Sequence, residues 1–216
     1  MTATKNIVTS PISTWAGAIF LIITLGVSGC ANSLQSGRAA LYDFGPGLLT
    51  PTPLAATQRA PVILGMIEAT PALESLAVHY RLGYANDQLF KPYSQARWSM
   101  APAQLIRQRL GEQLGQNRAV LNPGESGLAG TAEPATLRVD LEEFSQLFST
   151  PTQSVGLIRL RATLIQPSKT PRVMQHSVVI QRPAASADAL GGVRALAVAT
   201  DAAVQEIDNW LTLHAP

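Results

Sequence analysis

Between residues 137 and 180 the chain alternates apolar and polar side chains three times in succession. A period of two residues is typical of a β-strand with one buried face, because successive side chains point to opposite sides of the strand. This stretch therefore predicts three neighbouring strands that cover a core on one side. Their alternate, inward members are Leu137, Val139 and Leu141; Ile158, Leu160, Ala162 and Leu164; and Met174, His176, Val178 and Ile180.

The first of these segments breaks its own alternation. After Glu142 the apolar positions slip by one residue to Phe144 and Phe148, which predicts a β-bulge near Glu142–Glu143. A turn at 167–171, with a proline at each end, separates the second and third segments. Those two strands are therefore predicted to form an antiparallel pair.

Further strand signals lie upstream. The segments predicted to be strands are 41–44, 62–67, 78–84 and 89–98. A turn signal at Asn86-Asp87 indicates that the last two form a hairpin. Pro92 interrupts the second strand of this hairpin, which implies an edge strand or a bulge because proline donates no backbone hydrogen bond.

Two helices are also predicted. The first begins at Pro102, presents an apolar stripe through Ile106, Leu110 and Leu114, and ends near Gly115. The second spans 188–213. Its stripe comprises Leu190, Val193, Ala197, Thr200, Val204, Ile207 and Leu211. A narrow stripe of this kind suits a coiled-coil seam or packing across a sheet, and its length of only three heptads favours the sheet.

The first thirty residues have the layout of a secretory signal peptide. Lys5 lies in a short polar start, an apolar run follows over 12–27, and small residues lead to the only cysteine, as Val27-Ser28-Gly29-Cys30. This ending resembles a bacterial lipobox, in which the cysteine is lipidated and becomes the new N-terminus. A transmembrane helix is the alternative, since the apolar run is about as long as the shortest membrane spans, but the small-residue ending favours a lipoprotein.

The predicted organisation is therefore a signal peptide over 1–29, a lipidated tether over 30–38 and one domain over 39–216. Ala31 follows the cysteine where an Asp commonly retains lipoproteins at the inner membrane, so the protein is expected at the periplasmic face of the outer membrane. A single cysteine excludes a disulfide framework and a cysteine-rich zinc site. With 16 basic and 14 acidic residues, the charge balance argues against nucleic acid as a partner.

Motifs that carry chemistry are absent from the sequence. It has no Gly-x-Ser-x-Gly nucleophile elbow and no phosphate-binding loop, and its three histidines lack metal-ligand spacing. Glu142-Glu143 could act as paired carboxylates, but neighbours on a strand point to opposite faces unless a bulge re-aims one of them. No catalytic, cofactor-binding or metal residue is therefore predicted, and the chain is expected to be neither an enzyme nor a nucleotide-binding protein.

The order and spacing of several motifs resemble the ABC-type transport auxiliary lipoprotein family, which includes PqiC-like outer-membrane lipoproteins of MCE-type lipid transport systems. The resemblance covers about 39–213. After the lipobox, its motifs are Leu41-Tyr42-Asp43-Phe44-Gly45, Val78-His79-Tyr80-Arg81, Tyr93-Ser94-Gln95-Ala96-Arg97-Trp98, Ala101-Pro102, Leu137-Arg138-Val139-Asp140-Leu141-Glu142-Glu143-Phe144-Ser145-Gln146 and Asn209-Trp210-Leu211.

The resemblance implies an α/β fold: a single compact domain with a mixed sheet and two amphipathic helices packed on one face. It implies a non-enzymatic lipoprotein, anchored by the lipid on Cys30, that docks an MCE-domain periplasmic transporter subunit and supports membrane integrity. It is also compatible with a homo-oligomer. The alternative is a periplasmic lipid- or lipopolysaccharide-binding lipoprotein, which would need an apolar cavity. A periplasmic hydrolase is disfavoured by the motif search.

The aromatic-rich segment 84–98 is the predicted docking surface. Aromatic side chains and arginine are enriched at protein–protein hot spots, and Pro92 predicts that part of this strand faces solvent. The predicted interface residues are Phe90, Tyr93 and Arg97.

Overall fold

The computed structural model describes residue 2 and residues 38–47, 59–125 and 133–215. All of its elements belong to one compact unit, Arg38–Pro216. Cys30, the predicted leader apart from residue 2, and the rest of the tether before Arg38 lie outside the described residues. The elements are β1 (Ala40–Tyr42), β2 (Val62–Ala69), β3 (Ala77–Leu82), β4 (Asn86–Trp98), α1 (Pro102–Leu114), β5 (Val120–Leu121), β6 (Ala135–Thr150), β7 (Gln153–Gln166), β8 (Arg172–Pro183) and α2 (Ala189–His214).

The sheet is organised around β6, which is 16 residues long. One edge of β6 pairs with β7 in antiparallel register, and β7 pairs in turn with β8. The other edge is divided between two parallel partners: the first half of β6 pairs with β2 and the second half with β3. Beyond them, β5 joins β2, and β4 and β1 extend the sheet from β3. The predicted mixed sheet is thus confirmed.

The predicted bulge lies in the middle of β6. Leu141 is paired with Leu160, but Glu143 is paired with Arg159, so one extra residue is inserted in β6 between these pairs. The insertion lets Phe144 return to the core, where it is 1% exposed. The strands β7 and β8 form the antiparallel pair that the 167–171 turn predicted.

Both helices pack on the same face of the sheet. The buried residues of α1 are Pro102, Ala103, Leu105, Ile106, Leu110 and Leu114. The two helices also contact each other, because Gln113 of α1 donates hydrogen bonds to Gln205 and Asp208 of α2. The sheet and α2 approach each other closely at Gly156, where an added Cβ would lie 2.6 Å from the carbonyl carbon of Ala195. Only glycine permits this backbone contact.

Helix α2 packs across the sheet as predicted, but its buried face is wider than the predicted stripe. Leu190 is 40% exposed and Ala197 is only half-buried, whereas Leu196, Ala199 and Ala203 are fully buried. The reason is that a sheet is broader than a partner helix, so a helix lying across it buries a wide arc rather than a seam. Small residues in this arc allow the close approach.

Several predicted boundaries differ from the observed ones by a few residues. The first strand covers Ala40–Tyr42 instead of 41–44, and the closing helix continues to His214. Asp188 caps this helix, since its carboxylate accepts a hydrogen bond of 2.8 Å from the backbone N–H of Gly191. Across the described residues, none of the helices is long and apolar enough to cross a membrane.

The revised packing face of α2 can be tested with two identical substitutions. Leu196→Ala removes a fully buried side chain that the predicted stripe omitted, and it should lower the free energy of unfolding by about 2–5 kcal/mol. Leu190→Ala, at a position the stripe included, should cost clearly less, about 1 kcal/mol, because 40% of this residue is already exposed to solvent. Thermal melts of both variants measure the difference. Equal losses would mean that the observed face is not the packed one.

Candidate docking surface

The β3–β4 hairpin presents a compact cluster on the sheet face opposite the helices. The imidazole of His79 stacks on the ring of Phe90, with 4.1 Å between the ring centroids. The guanidinium of Arg81 lies over the same ring, 4.6 Å from its centroid. Because His79 and Arg81 are two residues apart on β3, they flank Phe90 of the neighbouring strand. We call His79, Arg81 and Phe90, with Glu143 described next, the hairpin cluster.

Glu143 reaches the hairpin cluster because of the bulge in β6. Its carboxylate accepts hydrogen bonds of 3.4 and 3.0 Å from Nε and Nη2 of Arg81. This is a two-point arginine–carboxylate pair, which fixes both side chains more firmly than a single contact would. Glu143 is only 8% exposed, so the pair is largely shielded from solvent on the sheet face.

The neighbouring Glu142 points to the same face but has different partners. Its carboxylate pairs with Arg159 and Arg161, the two outward arginines of β7. The bulge therefore does re-aim one member of the Glu142–Glu143 pair, so that both carboxylates share a face. Each is nevertheless held by arginine, and the arrangement is that of two ion-pair clusters rather than of a general acid and base.

Tyr93 lies on the helix side of the sheet, away from the other two predicted interface residues. Its hydroxyl donates a hydrogen bond of 2.7 Å to Oε1 of Gln146, and the amide of Gln146 donates one of 2.7 Å to the hydroxyl of Ser154. Burial raises the pKa of Tyr93 to about 12, with smaller contributions from Tyr80 and Asp188. The hydroxyl thus stays protonated and able to donate.

Arg97 lies on the open face with Phe90, because the neighbouring Ala96 and Trp98 point into the core. Its guanidinium donates hydrogen bonds to the backbone carbonyls of Tyr93 and Ala96. The structure therefore brings Phe90 and Arg97 to one face and places Tyr93 on the other. The proposed contact role of all three stays a prediction.

Strand β4 is both irregular near Pro92 and an edge strand over most of its length, so both features predicted from the proline are present. The pairing register of β3 with β4 shifts between the pairs Ala77–Arg97 and His79–Pro92. On its other side, β4 pairs with β1 only from Ala96 to Trp98. Within the described part of the chain, the first ten residues of β4 therefore form an open sheet edge, which is a surface where a further strand can add.

A family model described as the ABC-type transport auxiliary lipoprotein component matches residues 42–208. The chain belongs to this family. Its members are auxiliary components of transport systems.

Solved structures agree with the family's fold. The crystal structure of a Xanthomonas campestris protein of the DUF330 family is 17% identical, with a TM-score of 0.65 over 81% of this chain and 95% of that one. A second crystal structure, of an uncharacterized protein, is 13% identical, with a TM-score of 0.60 over 81% and 99% of the two chains. At these identities the likeness concerns the fold alone. No curated protein matches the sequence significantly.

The ion pair between Arg81 and Glu143 was not predicted from the sequence. The predicted bulge between Leu141 and Phe144 already implied that Glu142 and Glu143 share one face of the sheet. What the sequence lacked was the pairing of β3 with β6, which decides that Arg81 is the partner. Among the described residues no group of three or more potential metal ligands is found.

Because His79 is buried in the hairpin cluster, we expect the free energy of unfolding to fall in acid. Burial lowers the pKa of His79, an effect that Glu143 opposes and that Arg81 and Arg97 reinforce. The folded protein therefore favours the neutral imidazole, while the unfolded chain takes up a proton below about pH 6.5. The stabilisation is fully present above that pH and is lost as the pH falls towards the folded pKa.

The measurement is the melting temperature of wild type and His79→Gln at about pH 7.5 and about pH 5.5. Wild type should lose more stability over this interval than the variant does. His176→Gln is the matched control, because His176 is half-exposed and pairs with Glu206 on α2. If wild type and His79→Gln lose the same amount, the imidazole does not contribute in this way.

Proposed function

We propose that this chain is an outer-membrane-anchored auxiliary lipoprotein of an ABC/MCE-type transporter, and that it docks the lipid conduit in the periplasm. The observation that carries the proposal is the family match over 42–208, combined with the Ser-Gly-Cys ending of the apolar leader. A lipid crosses an aqueous space only if its tails are covered. An anchored adaptor therefore serves transport by holding a conduit against the membrane through protein contacts.

Lipidation at Cys30 is the first step of the proposal. More than one acyl chain on this residue gives stable anchoring, since each buried methylene contributes about 0.8 kcal/mol. Cys30→Ala should abolish labelling with radioactive palmitate and leave uncleaved precursor. Cys30→Ser is a second variant of nearly unchanged volume, and it should behave in the same way. Persistent labelling of either variant would contradict the assignment.

Docking through the open face of the hairpin is the second step. Phe90 and Arg97 lie on that face, and the first ten residues of β4 offer backbone groups that a partner strand can pair with. An aromatic ring held between two other side chains is rigid before contact, which lowers the entropy lost on binding. The occupant is proposed to be the MCE-domain subunit of the transporter.

The test is affinity purification of the detergent-solubilised lipoprotein, with detection of a co-purifying MCE-domain protein. The combined change Phe90→Ala and Arg97→Ala should abolish co-purification. The control is Val173→Ala, an exposed position on the outermost strand β8. Tyr93→Phe separates structure from contact: it should lower the melting temperature through loss of the hydrogen bond to Gln146 and leave co-purification intact.

Retained co-purification by a folded Phe90/Arg97 double variant would place the docking surface elsewhere. The next surface to examine is then the Arg159/Arg161 face of β7, where both arginines are half-exposed.

Packing between the sheet and the helices supports the adaptor over a lipid-binding alternative. The space is filled by large side chains that are at most 1% exposed, including Trp98, Phe144, Ile106 and Leu110. Among the described residues, open cavities of about 520 and 650 Å³ lie instead at one end of the sheet, both lined by Pro134 and Pro167. Acyl chains need an enclosed apolar volume, so this arrangement favours protein contacts.

A further inference from the structure

We propose that the domain stands on the membrane with one particular end towards the lipid, namely the end formed by the tip of the β3–β4 hairpin and the start of α2. The occupant of this surface is the bilayer itself. The inference rests on the proposed lipidation of Cys30 and adds an orientation to it. We call this surface, defined by Tyr84, Leu89 and Leu190, the apolar end.

The three residues lie at one end of the sheet. Strand β3 finishes at Leu82, which is level with Phe148 near the end of β6. Helix α2 begins at the same level, since an added Cβ at Gly192 would lie 2.1 Å from the side-chain oxygen of Gln146. Within this end the exposed fractions are 47% for Tyr84, 49% for Leu89 and 40% for Leu190. Water therefore reaches a sizeable part of all three side chains.

Exposed apolar groups alone do not identify which end of the domain faces the membrane. Leu213, near the opposite end of α2, is 79% exposed, and Val173, just after the β7–β8 turn, is 58% exposed. The choice comes from the direction in which the chain enters the domain. Strand β1 is parallel to β4, so the chain enters β1 from the side on which β4 begins. That side is the tip of the hairpin.

Chain length limits how far the domain can stand from its anchor. Leu41 is level with Ala77, because both are paired with Arg97. From Ala77 to Tyr84 the strand direction advances about 23 Å, while the eleven residues from Cys30 to Leu41 span at most about 40 Å. The excess of about 17 Å is more than twice the depth of the headgroup layer, which is about 5–7 Å on each side of the hydrocarbon core, so the tether can bring the hairpin tip to the headgroups and lets it stand no more than about 12 Å above them.

The chemistry of the apolar end suits this position. Tyrosine is enriched at membrane interfaces because its ring is apolar and its hydroxyl remains hydrated. The two leucines add apolar area that the headgroup region can cover. The hairpin tip also exposes the acidic Asp87, and the β7–β8 turn at the opposite end exposes the basic Lys169 and Arg172, so the orientation follows from chain entry and apolar area and not from charge. The apolar end thus offers the bilayer a small amphipathic surface that supplements the acyl anchor.

The experiment uses full-length lipidated protein in phosphatidylethanolamine–phosphatidylglycerol vesicles. Acylation removes the only native thiol, so an introduced cysteine can be labelled selectively with an environment-sensitive dye. Leu89→Cys and Leu190→Cys report on the apolar end, and Thr170→Cys in the β7–β8 turn is the matched control at the other end. All three positions are exposed, so the substitutions leave the core intact.

Nitroxide-labelled lipid should quench the dye at Leu89→Cys and Leu190→Cys by about twofold, since both would sit in the headgroup region. The dye at Thr170→Cys should keep its emission. Quenching at Thr170→Cys, equal quenching at both ends, or no quenching at either end of an anchored protein would overturn the orientation. Failure of lipidation gives a different result: the wild-type protein then does not float with vesicles, and Cys30 itself takes up the dye.

Discussion

The structure depends on one long strand that carries two different neighbours along the same edge. Because β6 is 16 residues long, β2 pairs with its first half and β3 with its second half. The bulge between these halves keeps Leu141 and Phe144 on the core side although they are three residues apart. Without it, one half of β6 would turn its apolar side chains to solvent. The continuous core beneath both helices therefore follows from a single inserted residue.

Local periodicity predicted most elements of this fold, including the bulge, the antiparallel pair β7–β8 and both helices. It could not predict which strands neighbour one another, because parallel pairing joins residues far apart in the sequence. The width of the buried face of α2 was missed for a similar reason, since Leu196 belongs to the core only because a broad sheet lies beneath it.

The candidate docking surface was predicted from composition, and the structure distributes its three residues over two faces of the sheet. Clustering of aromatics drew attention to the β3–β4 hairpin. Ordinary strand alternation places Phe90 and Tyr93 on opposite faces, and the register shift near Pro92 brings Arg97 to the face of Phe90. The exposed charges on the open face are mutually paired, as between Glu142 and the two arginines Arg159 and Arg161. Exposed ion pairs contribute only about 0–1 kcal/mol each to stability, so such pairs mainly keep a broad sheet face hydrated and discriminating towards partners.

The topology also fixes an order in which the chain can assemble. Strands β6, β7 and β8 follow one another through short turns, so this meander closes with local contacts as soon as it is available. Strands β2 and β3 lack their parallel template until β6 is in place, more than sixty residues later in the chain. When the chain becomes available from its N-terminus, the first half of the domain therefore waits with unpaired strand edges, a state prone to association and to proteolysis. The rate at which the second half arrives then sets how long this vulnerable state lasts.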